Sequence, residues 1–134
     1  EGHRIQNLPV EDTVKLFVRS KSDVLASIDL SWSVSKEQPY YLSIYGSAGT
    51  LLVGWKESKY RRASDSEWTV FGNGYSKVGA FTRQLDNFGD AIRGTDTLMV
   101  TQDDALASVQ VIEAAYRSMA KGAWEPIATA ASDA

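Results

Sequence analysis

Apolar and polar residues alternate along the first half of this chain, then switch to a helical period in the second. Over 12–19, Val14, Leu16 and Val18 alternate with Lys15, Phe17 and Arg19, the pattern of a half-buried strand. A polar turn at 20–23 leads into eleven more alternating residues. Val24, Ala26, Ile28, Leu30, Trp32 and Val34 face one way, and Ser27, Asp29, Ser31 and Ser33 face the other. Two such runs across a short polar link predict an antiparallel hairpin. Lys36, Glu37, Gln38 and Pro39 break the pattern, and further short strands are predicted over 40–45, 50–55, 59–63 and 67–71. A tight turn at Gly46, Ser47, Ala48 and Gly49 joins two of them.

The period then lengthens. Phe81, Leu85, Phe88 and Ile92 form one narrow apolar stripe, with Arg83, Asp86, Asp90 and Arg93 on the wet side. The second helix is built differently. Its polar residues Gln110, Glu113, Arg117 and Lys121 make one thin strip. Ala105, Ala107, Val109, Val111, Ile112, Ala114, Ala115, Tyr116 and Met119 leave the rest of the girth apolar or small. Such a helix needs burial on more than one side. Thr101 is a good N-cap, Asp104 completes a capping box, Asp103 adds charge to the positive helix end, and Gly122 stands where a left-handed C-cap belongs.

Strands first and helices after predict an α+β domain: a mostly antiparallel sheet of about six strands with two C-terminal helices on one face. The domain runs over 1–127, and the Ala-rich stretch 128–134 is expected to be a frayed, flexible tail. Val14, Leu16, Ile28 and Leu30 give the sheet one apolar face, and Ser, Tyr and Phe residues mix on the other. The helices can cover one face. The second must meet solvent, a ligand or another chain.

Composition narrows the function classes. A net charge of −3, with no basic run beyond Arg61-Arg62, argues against nucleic acid or an anionic membrane as the main partner. No apolar stretch is long enough to span a bilayer. The absence of Cys excludes a disulfide-stapled scaffold, a thiolate metal site and a thiol nucleophile, and cytoplasmic residence is expected. The single histidine, His3, lies outside any predicted element, so no metal site is expected. A polar start without Met suggests a piece of something longer.

Few residues invite a chemical role. Gly72, Asn73 and Gly74 stand between a strand and a helix, but the third glycine of a dinucleotide fingerprint would fall on Lys77, and a parallel βαβ unit is missing. A flexible loop is the expectation there. Gly46 and Gly49 make a hairpin turn rather than a phosphate cradle, because a strand follows. Asp103 and Asp104 are accounted for by the helix start, Asp86 and Asp90 by their basic neighbours, and Glu11-Asp12 by a polar strand entry. No catalytic, cofactor-binding or metal-ligating residue is assigned.

Several ordered motifs carry a resemblance. They are Phe81, Leu85, Phe88, Ala91-Ile92 and Gly94; then Val100-Thr101 with Asp103-Asp104-Ala105-Leu106; then Ile112-Glu113-Ala114-Ala115-Tyr116 and Ser118; then Gly122. Together they are similar to the close of the Gfo/Idh/MocA oxidoreductases, the family of glucose–fructose oxidoreductase, inositol dehydrogenase and the rhizopine-catabolism protein MocA. Val10-Glu11-Asp12-Thr13, Ser31-Trp32, and Ile44 with Gly46 and Gly49-Thr50-Leu51 fit the same C-terminal domain in order, so the likeness spans about 10 to 127.

The resemblance implies a parent dehydrogenase whose N-terminal Rossmann domain holds NAD or NADP and partners this domain. A Lys in that half and a His at the start of the C-terminal half would do the proton work. Both would lie upstream of Glu1, so the chain itself is not expected to be catalytic. Its role would be to wall the pocket for a sugar, polyol or related substrate, and to build a homo-oligomer through the open sheet face. The loops at 33–39 and 72–78 are long and polar, and recognition concentrates on such loops. Trp32 is the candidate for stacking on a sugar face, and Lys36, Tyr75 and Arg83 are the candidate donors to its hydroxyls or to a phosphate. The competing class is a non-enzymatic α+β ligand-binding or oligomerisation module, which would lack a strand–GxGxxG–helix upstream.

Overall fold

A computed structural model describes residues 2–3 and 9–128. Among the described residues seven strands precede two helices: β1 (Gly2–His3), β2 (Thr13–Arg19), β3 (Leu25–Ser31), β4 (Tyr40–Gly46), β5 (Gly49–Gly54), β6 (Ser58–Arg62), β7 (Thr69–Phe71), α1 (Lys77–Arg93) and α2 (Gln102–Lys121). All strand pairings are antiparallel, so the α+β class holds. The expected single sheet is not found. The strands form a three-stranded sheet in the order β1-β2-β3 and a four-stranded meander β4-β5-β6-β7. The chain divides accordingly into two compact units, Glu1–Ser35 with Val100–Ala134, and Lys36–Met99.

The end of β3 has a local cause. β3 was expected to run to Val34 but stops at Ser31, whose hydroxyl accepts the amides of Ser33 (3.2 Å) and Val34 (2.8 Å). A serine that offers the backbone this alternative ends a ladder. Pro39, with no N–H to donate, stands just before β4.

In the first unit the predicted hairpin forms with the predicted faces. Val14 pairs with Leu30, Leu16 with Ile28 and Val18 with Ala26. Its turn is tied by Ser20, whose backbone exchanges hydrogen bonds with Val24 and Asp23, while Asp23 takes a left-handed φ of 62°. β1 is a correction. His3 was placed outside any element, yet its backbone pairs with Thr13. Two residues are too short for periodicity to reveal, and the His3 side chain lies outside the described residues, as does the expected tail beyond Ala128.

The second helix follows its sequence signals closely. Thr101 Oγ1 accepts from the Asp104 amide at 3.2 Å, and the Asp104 carboxylate accepts from the Thr101 amide at 2.8 Å. Gly122 caps the other end in the left-handed region. The hydrogen bonds from the Thr101 backbone and hydroxyl hold the Asp104 carboxyl below its ordinary pKa. A depressed carboxyl pKa stabilises the fold above the ordinary carboxylate range, and that contribution disappears as pH falls through the folded-state value. Thr101→Ala is expected to cost about 1 kcal/mol. It should also flatten the acid limb of a stability–pH profile, measured by urea titration with circular dichroism.

Of the apolar residues on α2, Ala114 is buried (5% exposed), while Val109, Ile112, Tyr116 and Met119 stay about half exposed. Tyr116 donates from its hydroxyl to Glu11 (3.0 Å), and Met119 Sδ approaches Gly2, which ties the helix to the strand entry of its own unit. The helix keeps most of the apolar girth that calls for further cover.

In the second unit, Ser76 caps α1 by accepting the Gly79 amide, so the helix begins at Lys77, inside the loop expected at 72–78. The predicted stripe is present and bare: Leu85 is 69% exposed and Ile92 72%. Asn87 holds the link after the helix, donating to Thr97 O and Asp96 and accepting from the Met99 amide.

Candidate functional site

Strand alternation sorts the β4–β7 sheet into two unlike faces. Tyr60 pairs with Leu51 and Thr69, Leu51 with Ile44, and Ser58 with Phe71. One face therefore carries Ile44, Leu51, Tyr60 and Phe71, with the Tyr60 and Phe71 rings 6.0 Å apart. Arg62 lies over Tyr60 at 5.8 Å. A shallow depression of 230 Å³ opens on this side near the Gly46–Gly49 hairpin, lined by Ile44, Leu51, Tyr60, Arg61 and Arg62 among others.

The other face carries Leu52 and Thr50 against Lys59 and Arg61. Lys59 and Arg61 both stand 5.1 Å from the centre of the Trp68 ring, and Lys59 is 5.4 Å from that of Tyr40. A hydrogen bond with Tyr40 raises the Lys59 pKa, opposed by partial desolvation and assisted by the charges of Tyr40 and Glu57. The ammonium is therefore charged throughout the neutral range.

A third cluster forms where the sheet meets the loop before α1. Tyr41 and Trp55 are 4.7 Å apart and tilted, and Tyr75 meets Trp55 edge-on at 5.7 Å. The Tyr75 amide donates to Trp55 O at 2.9 Å. Gly74, at φ 83°, passes so close to the carbonyls of Trp55 and Lys56 that a side chain there would collide with both. This glycine serves close packing of the loop on its own strand.

That observation bears on the cofactor. A nucleotide-binding glycine loop lies between a parallel strand and a helix N-terminus that faces phosphate. Here β7 is antiparallel to β6, Gly74 is packed against backbone, and Ser76 occupies the α1 N-terminus. These residues do not fit a dinucleotide. Among the described residues no group of three or more His, Asp or Glu side chains is placed to hold a metal ion.

In the first unit, polar side chains gather at the shared end of β2 and β3. Thr13 Oγ1 lies 2.8 Å from Ser31 Oγ and donates to the Asp12 carboxylate at 3.0 Å. Asp12 is buried, 7% exposed, and its carbonyl accepts the Trp32 amide at 2.8 Å. Ser33 Oγ is buried and has no hydrogen-bond partner among the described residues. Trp32 itself projects from this anchored turn, 88% exposed.

Of the four residues proposed for substrate contact, Trp32 belongs to the first unit, and Lys36, Tyr75 and Arg83 belong to the second. Tyr75 is held in the aromatic cluster, and Arg83 folds back toward Gly79 one turn earlier. The Asp12–Thr13–Ser31 network and the Lys59–Arg61–Trp68 grouping were not anticipated. For the second, a signal was present: in a strand, Lys59 and Arg61 share a face.

The family model described as oxidoreductase family, C-terminal alpha/beta domain, of the Gfo/Idh/MocA group, matches residues 2–128. The chain belongs to that family. It is the C-terminal domain of a Gfo/Idh/MocA oxidoreductase, as the ordered motifs implied. Comparisons with curated proteins and with solved structures gave no match. Among the described residues no helix of this Gfo/Idh/MocA domain is long and apolar enough to cross a membrane.

Proposed function

We propose that this domain is the substrate-binding and oligomerisation part of an NAD(P)-dependent oxidoreductase acting on a sugar, polyol or related substrate. The family match over residues 2–128 carries this reading. The cofactor would belong to an N-terminal Rossmann domain, since no residue set described here fits a dinucleotide; the proton-transfer Lys would lie in that domain and the His at the start of the C-terminal half. Trp32, Lys36, Tyr75 and Arg83 are the proposed substrate contacts, and the open sheet face is the proposed subunit contact.

Two measurements test the division of labour. In calorimetry, the 134-residue chain is expected to show no micromolar binding of NADH or NADPH. Such binding would overturn the assignment of cofactor chemistry to another domain. In light scattering over a concentration series, a dimer or larger species is expected, because so much apolar surface otherwise stays in water. A monomer at high micromolar concentration would remove the oligomerisation role.

A further inference from the structure

We propose that Asp12, Thr13 and Ser31 are positioning residues for Trp32: a hydrogen-bond relay with a single direction holds the turn that presents its ring. The inference rests on Trp32 as a substrate contact, proposed above, and adds what fixes that contact in place.

The direction of the relay follows from counting hydrogens. A hydroxyl has one hydrogen to donate and two lone pairs to accept with. The Thr13 hydroxyl gives its hydrogen to the Asp12 carboxylate at 3.0 Å, so across its 2.8 Å contact with Ser31 Oγ it accepts. Ser31 is therefore the donor there, which leaves both of its lone pairs for other groups. They are taken by the amides of Ser33 at 3.2 Å and Val34 at 2.8 Å. The Ser31 hydroxyl is then fully used. Donation runs from the turn amides through Ser31 and Thr13 and ends on a carboxylate, which only accepts.

The strand register makes the relay possible. Thr13 and Ser31 are direct partners across β2 and β3, so their side chains share one face. Asp12 is 7% exposed, and hydrogen bonds in such surroundings are stronger than in water. Its backbone carbonyl also accepts the Trp32 amide at 2.8 Å. The amides of Trp32, Ser33 and Val34 are thus all tied, to Asp12 or to Ser31. Amides in a surface turn could bond to water instead. Only the Trp32 ring is left in solvent, 88% exposed. A tryptophan on a loose loop loses backbone freedom when it closes on a ligand, and that loss weakens binding. Here the freedom is removed beforehand, and the two side-chain torsions of the indole are what remains.

Backbone amide relaxation, measured by NMR on the 134-residue chain, tests this with no ligand present. In the wild type the amides of Trp32, Ser33 and Val34 are expected at order parameters of about 0.85, the value of rigid backbone. Thr13→Val keeps the branched shape and removes the hydroxyl. It is expected to lower all three below about 0.6, while Leu16 and Ile28 in the same hairpin stay rigid. Thr13→Ser returns the hydroxyl and is expected to return the wild-type values, although serine is the poorer strand former. Ser31→Ala is expected to release Ser33 and Val34 in the same way. Leu16 and Ile28 report the folding of each variant, and the wild-type measurement stands without any variant. A wild-type turn with values below about 0.6 at 32–34 would overturn the inference. So would a turn that stays rigid in both Thr13→Val and Ser31→Ala. The role of Trp32 as a contact falls separately, if Trp32→Ala leaves the KM of the intact oxidoreductase unchanged.

Discussion

Gly49→Ala unfolds the four-stranded sheet under conditions in which the wild-type chain stays folded. Gly49 opens β5 directly after the Ser47-Ala48 turn, at a φ of 153° that L-residues rarely adopt. A Cβ there would collide with the Arg61 carbonyl oxygen and lie 2.9 Å from the Arg62 Cα. Both are backbone atoms of the neighbouring strand, so no rotamer change relieves the contact. Forcing a non-glycine residue into such a conformation costs about 1–3 kcal/mol. Pushing β6 away adds a comparable strain, also about 1–3 kcal/mol. The expected loss is therefore about 2–6 kcal/mol, a large part of the stability of a domain this size. Urea titration followed by tryptophan fluorescence should show the midpoint falling steeply. A wild-type midpoint would mean that β5 does not hold Gly49 against Arg61.

In the intact oxidoreductase, alanine at one or more of Trp32, Tyr75 and Arg83 is expected to raise the KM for substrate about tenfold, with folding preserved. That factor corresponds to about 1.4 kcal/mol, within the range of one stacking or charge-assisted contact. The three positions differ in how firmly they are held. Trp32 is anchored through its amide to Asp12 and leaves its ring in water. Tyr75 is braced on Trp55, so its hydroxyl is presented from a fixed ring. Arg83 lies along the wet side of α1. Exposed aromatic area that the fold itself leaves unused is what a sugar face would stack on. Steady-state kinetics of the three variants decide the point. If all three retain the wild-type KM, the substrate pocket lies elsewhere and this assignment fails.

Local signals were legible in the sequence because they depend on neighbours within a few residues. Thr101, Asp104 and Gly122 specify both ends of α2 through hydrogen bonds that span three to five positions. The alternation of Val14, Leu16 and Val18 against Ala26, Ile28 and Leu30 determined the β2–β3 register and its faces, because a one-residue slip would turn every side chain over. Family membership was legible for a related reason: it rests on motifs in order along the chain, and residues 2–128 match as a whole.

Tertiary structure decided what joins distant residues. Alternation predicts strands but does not assign them to sheets, and the strands divide into β1-β2-β3 and β4-β5-β6-β7, with β3 ending where the Ser31 hydroxyl accepts two amides. β1 exists because β2 offers it an edge, not because two residues have a pattern. The Trp68 ring is set between the reach of Lys59 and Arg61 by the β6–β7 pairing. Gly74 looked like a loop residue and proved to be a close-packing one, since only the folded chain brings the carbonyls of Trp55 and Lys56 against it. Periodicity and capping are properties of the local backbone and survive in any fold. Sheet membership, ring contacts and close approach depend on long-range pairing, which a single sequence leaves open.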